Sequence, residues 1–134
     1  MKIKKILLFT AGVVTSLAFI ILLAGLVIIY YDGPELTSYD TGKIREESEK
    51  IYLDENIGLG FVNNIPDQYI YLDKIKPISV YKTEHSLSVG VWKFFGRQKG
   101  FTLYGSIDSK NKYFSVSQDI EKIDELFYSY YHFD

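Results

Sequence analysis

The chain has 134 residues, 47% of them hydrophobic and 16% aromatic, with 12 tyrosines, no cysteine and a formal net charge of −2. Without cysteine it can form no disulfide, no thiolate metal ligand and no lipid-modified thiol. All 17 acidic residues and all but three of the 15 basic ones lie beyond Tyr31. That larger part is therefore acidic, which argues against nucleic acid and against a polybasic lipid-binding surface.

Residues 1–5 form a basic N-terminus with Lys2, Lys4 and Lys5. Ile6 to Tyr31 is a run of 26 residues without a charge. A secretory signal core is only about 7–15 residues long. As a helix, this run reaches about 39 Å at 1.5 Å per residue, more than the roughly 30 Å hydrocarbon core of a bilayer. Ser16-Leu17-Ala18 has small residues at a cleavage spacing, but a cut there leaves apolar Phe19 to Ile29 at the new terminus. Leu23-Ala24-Gly25 resembles the start of a lipoprotein cleavage signal, with Leu26 where the lipidated cysteine belongs. The sequence thus predicts an uncleaved transmembrane anchor over residues 6–31. Lysines precede the run and Asp32, Glu35 and Asp40 follow it, so the N-terminus is expected inside and Asp32 onward outside the cytoplasm. Tyr30 and Tyr31 suit the interfacial belt. Gly12 and Ser16 have a helix-approach spacing, read here as lipid-facing filler.

Residues 32–42, DGPELTSYDTG, read as a linker punctuated by turn residues. Lys43 to Leu53 predicts a helix, with Ile44 and Ile51 on one face and Glu46–Lys50 as an i, i+4 pair. Ile57 to Val62 predicts a short strand. It contains Gly58-Leu59-Gly60-Phe61, which resembles the carboxylate-binding loop of PDZ domains over four residues. That family needs a groove-forming helix before its last strand, whereas here strand-like runs follow in succession. The glycines are accordingly read as a tight turn or bulge.

From Tyr69 the runs YIYL, ISVYK, SLSVGVWKFF, FTLYGSI and KYFSVS are rich in β-branched and aromatic residues. TEH, GRQKG and DSKN between the last four have hairpin length, which predicts an antiparallel meander. Lys93, Arg97 and Lys99 then fall around a solvated hairpin tip. The final SQDIEKIDELFYSYYHFD carries Ile120, Ile123, Phe127 and Tyr130 at helical spacing and predicts a C-terminal helix.

Alternation sorts the strand residues into two sets. Ile70, Leu72, Ile78, Val80, Leu87, Val89, Val91, Phe101, Leu103 and Ile107, continued by Phe114 and Val116, form an aliphatic core face. The other set mixes Tyr69, Tyr71, Tyr81, Trp92, Tyr104 and Tyr113 with Ser79, Ser86, Ser88 and Thr102. A bulge at Gly90 would move Trp92 and Phe94 to the opposite face; Trp92 is counted here with the tyrosine face.

Motifs for chemistry are few. His85 and His132 have no partners at metal-ligand spacing. No GxSxG, GxxxxGK[ST] or GxGxxG occurs. Ser-x-x-Lys occurs at Ser79–Lys82, where strand alternation separates the two side chains, and at Ser109–Lys112, in an expected turn.

The expected architecture is α+β: a transmembrane helix, then a domain over 43–134. That domain has an antiparallel meander of four to six strands and a C-terminal helix packed on the aliphatic face. The expected function is a non-catalytic, membrane-anchored extracytoplasmic binding module, with no cofactor or metal. It meets a protein partner through Tyr69, Tyr71, Tyr81, Trp92, Tyr104 and Tyr113, because tyrosine with small hydroxyls makes adaptable contact surfaces. In architecture, though in no residue motif, it is similar to toxin-immunity proteins. The alternatives are an assembly subunit of a membrane complex and an enzyme whose site the sequence does not mark.

Overall fold

The computed structural model describes residues 2–113 and 119–133 and divides into two units, one up to Gly33 and one from Pro34 onward. The first is a single helix, α1 (Lys2–Tyr30), long and apolar enough to cross a membrane. Its polar side chains are satisfied within the helix. The hydroxyls of Thr10, Thr15 and Ser16 donate to the carbonyls of Ile6, Ala11 and Gly12 at 2.7–2.9 Å. Such local pairing removes the cost of placing a hydroxyl in hydrocarbon.

The second unit is a six-stranded antiparallel sheet with helices. Its elements after a 3₁₀ turn at Leu36–Ser38 are α2 (Thr41–Leu53), β1 (Gly60–Phe61), α3 (Ile70–Ile75), β2 (Ser79–Lys82), β3 (Ser86–Phe94), β4 (Arg97–Tyr104), α4 (Ile107–Tyr113), β5 (Asp119–Asp124) and β6 (Phe127–Phe133). The strand order is β1-β2-β3-β4-β6-β5, a meander through β4. The α+β class and the antiparallel sheet agree with the sequence reading.

Helix α2 starts where Asp40 accepts a hydrogen bond from the Lys43 amide at 3.1 Å, an N-cap. Ile44, Ser48 and Ile51 follow at i, i+4 and i+7 and are all buried. They close over Val80, Leu87, Val89, Phe101, Leu103 and Phe127 of the sheet and Leu72 of α3. Each such aliphatic or aromatic burial contributes about 1.5–3 kcal/mol. The Glu46–Lys50 pair forms at 2.6 Å on the wet side.

Four expectations are corrected. The C-terminal segment is no helix but the β5–β6 hairpin. The helical spacing of Phe127 and Tyr130 coexists with a period of two, and β4 needs a second partner for its backbone. β6 supplies it in register from Arg97↔Phe133 to Leu103↔Phe127, with Phe127 stacked on Phe101 at 5.7 Å. Second, Tyr69–Leu72 is not a strand but the start of α3. The Glu47 carboxylate of α2 accepts from the amides of Tyr71 at 2.9 Å and Leu72 at 2.7 Å, and so caps that helix. Third, Lys112 and Tyr113 end α4, so the predicted strand does not start there, while its remainder, 114–117, lies outside the described residues. Fourth, GRQKG is not a turn: Arg97 to Gly100 belong to β4, and the reversal is at Phe95-Gly96. As a result Ile70 and Ile107, expected in the core, sit on helices and are exposed; Ile78, also expected there, is exposed in the bend just before β2.

The stretch read as a linker is packed over much of its length. Leu36 and Tyr39 lie against the core, and Tyr39 meets Phe101 edge-on at 6.1 Å.

Candidate functional site

The helices α2 and α3 cover one face of the sheet; the opposite, outer face carries the site. Its floor is made of small residues. Gly90 pairs with Gly100, and Ser88 and Thr102 share a hydrogen bond at 3.1 Å across β3 and β4. On one side stand Phe61 and Tyr81, Cα partners on β1 and β2 with rings 4.8 Å apart. On the other side Tyr130 of β6 lies over Gly100, where an added Cβ would stand 2.6 Å from the phenolic oxygen. Gln98 donates its amide to that oxygen at 3.2 Å. Burial pushes the Tyr130 phenol above its usual pKa range, the Gln98 bond opposing it in part.

The far end of the face is filled. Tyr104 and Tyr128 are buried and meet edge-on at 5.9 Å, with the Lys110 ammonium of α4 5.9 Å from the Tyr128 ring. Burial, then the neighbouring Tyr128, raises the Tyr104 pKa. The near end is open: Phe61 is 69% exposed, Ile78 53% and Tyr81 42%. A pocket of about 210 Å³ opens there, bordered by Phe61, Asn63, Ile65, Pro77, Ile78 and Ser79. Exposed apolar rings beside a small concavity with polar lips are the anatomy of a contact surface.

The six tyrosine and tryptophan positions singled out in the sequence do not share this face. Tyr81 and Tyr104 are on it, one open and one buried. Tyr69 belongs to the core and donates to Asp54 Oδ2 at 3.2 Å. Tyr71 lies with the helices, its hydroxyl accepting from the Asp40 amide at 2.7 Å. Tyr113 ends α4 and stacks on His85 at 4.6 Å. Trp92 is on the helix-side face, because the register shifts by one between Gly90 and Trp92. It pairs there with Lys99, and the cations of Arg97 and Lys99 each lie 5.7 Å from its ring.

Phe61, Gln98 and Tyr130 are residues of the face that sequence reasoning missed. The signal for Tyr130 was present in FYSYYHF, where a period of two groups Tyr128, Tyr130 and His132.

No family model, curated protein or solved structure matches the chain. Function is therefore read from the site alone. Among the described residues no three His, Asp or Glu side chains group as metal ligands. Ser79 and Lys82 point to opposite sides of β2. Ser109–Lys112 lies on α4 rather than in a turn; Lys112 Nζ sits 5.2 Å from the Tyr113 ring, and Ser106 Oγ donates to Ser109 Oγ at 3.0 Å.

Proposed function

We propose that this chain is a membrane-anchored binding module that holds a protein partner on the outer face of its sheet, outside the cytoplasm and without catalysing a reaction. The observation that carries this reading is the open end of that face: Phe61 and Ile78 exposed at a 210 Å³ pocket and Tyr81 exposed against Phe61, with uncharged small residues beside them. A partner side chain seated in the pocket buries these rings and leaves few charges to desolvate. The lysines before α1 and the acids after it support the outward orientation. Capping of an enzyme or toxin in the cell envelope is the role such a surface on a short tether suits best.

The test is photocrosslinking in whole cells with a photoreactive phenylalanine at Tyr81, compared with the same residue at Lys74 on α3. One soluble protein joined to position 81 and absent from position 74 supports the module. Equal adducts at both positions, or none at 81, remove the outer face as the binding site.

A further inference from the structure

We propose that the β3–β4 hairpin tip is a second interaction surface, which docks on the anionic lipid interface around the protein's own membrane helix. The proposal rests on α1 being an uncleaved anchor.

The tip sequence runs Trp92-Lys93-Phe94-Phe95-Gly96-Arg97. Phe95 and Gly96 make the two-residue turn with φ of 45° and 75°. Positive φ at both positions marks the hairpin turn that asparagine and glycine occupy at least cost. A phenylalanine there is strained, and with Phe95 66% exposed, burial in the domain does not compensate. Its ring leans on Phe94 at 4.7 Å, so the two form one apolar wedge. Lys93 is exposed beside it and Lys99 is half-buried, while Arg97, 6% exposed, backs the wedge from within, its guanidinium 5.9 Å from the Phe94 ring. An exposed aromatic wedge flanked by cations has the chemistry of a headgroup-level anchor. In a domain that is otherwise acidic, Lys93 and the partly exposed Lys99 give one end the sign that anionic lipid attracts.

Chain length bounds how far this end can lie from the anchor. Lys99 Nζ reaches the Pro34 carbonyl at 3.4 Å, and five residues later Tyr39 meets Phe101. The chain therefore enters the domain at the tip end of β4 and runs away from the tip. The Tyr31 amide still bonds the Val27 carbonyl at 2.8 Å, so helical hydrogen bonding continues at least to Tyr31. Three Cα–Cα steps then separate Tyr31 from Pro34, at most about 11 Å. From Lys99 to the turn is another three residues, about 10 Å of strand. The wedge is thus within reach of the interface, and no long linker carries it away.

Trp92 is the chain's only tryptophan and reports on the tip. The whole protein is reconstituted in phosphatidylcholine–phosphatidylglycerol vesicles, with lipids brominated near the headgroup as quenchers. A carbonate wash of the same vesicles tests the anchor separately. Docking predicts that Trp92 emission is strongly quenched, and that Phe95→Asn, which suits the turn, loses most of the quenching while the chain stays in the washed membrane. Lys93→Glu should lose part of it in anionic vesicles and little in phosphatidylcholine alone. A retained chain with unquenched Trp92, or quenching unchanged in Phe95→Asn, overturns the docking. Release of the chain by carbonate overturns the anchor instead, and the tethered docking with it.

Discussion

Replacing Lys82 by methionine should remove a large share of the domain's stability, although the position lies in a strand and methionine keeps the length of the stem. Lys82 is 7% exposed and sits under the end of α2. Its ammonium has three protons and uses each on a backbone carbonyl: Ile51 at 3.1 Å, Asp54 at 2.7 Å and Ile57 at 2.9 Å. These are carbonyls at the end of a helix and in the loop after it, where a cation is favoured; the Asp54 and Ile57 amides also reach those of Ile51 and Asp54, at 3.3 and 3.2 Å. A hydrogen bond from a charged donor contributes about 1.5–3 kcal/mol net. Water can replace part of this at the loop, and the methionine gains apolar burial, so the loss should be about 3 kcal/mol for the three together. A domain of this size has a total stability of about 5–15 kcal/mol, and such a loss lowers Tm by roughly 12–24 °C. The assay is urea unfolding of the whole protein in detergent, followed by Trp92 fluorescence. Lys50→Met serves as the comparison, since Lys50 pairs only with Glu46 in solvent and should leave the midpoint near that of the wild type. A loss below about 1 kcal/mol for Lys82→Met would refute the idea that this ammonium closes the helix onto the sheet.

Glu47→Ala should cost about 1–2 kcal/mol in the same assay, because the amides of Tyr71 and Leu72 lose their shared carboxylate cap. Ser48 is 1% exposed and its Oγ has no hydrogen-bond partner among the described residues, so Ser48→Ala should raise stability by about 0.5–1 kcal/mol. Tyr104 and Tyr130 have folded pKa values raised by burial. Their contribution is complete below the ordinary tyrosine value of about 10 and is lost as pH rises through the higher folded values, so stability should fall there, with part of the tyrosinate absorbance appearing only above that value in an alkaline titration. Since the chain has no cysteine, single substitutions label cleanly. An impermeant maleimide should modify Thr37→Cys on intact cells or spheroplasts, and Lys2→Cys only after lysis.

The parts legible in the sequence are those whose physics is local. Composition alone makes α1 a helix that can cross a membrane. The seven-residue spacing of Ile44 and Ile51 and the Glu46–Lys50 pair mark α2. Alternation in SLSVGVWKFF marks β3; Gly90 permits a bulge, but the pairing with Lys99 is what turns Trp92 to the other face. Each of these signals acts within a few residues, so a window of sequence contains its cause. The candidate site was half legible: Ser79, Ser88, Thr102 and Tyr81 follow from alternation, whereas Phe61 and Tyr130 arrive from β1 and β6.

Long-range contacts decided the rest. Tyr69 to Leu72 has strand composition, but the Glu47 carboxylate, more than twenty residues earlier in the chain, stabilises the first amides of a helix there. Asp119 to Phe133 satisfies the spacing of a helix and of two strands about equally. The unpaired edge of β4 selects strands, because a backbone edge beside a buried core must find hydrogen-bond partners. Lys82 reads as an ordinary strand residue until three carbonyls from α2 and its loop converge on it. In each case the deciding partner lies far off in sequence, and only the closed sheet brings it within hydrogen-bonding distance.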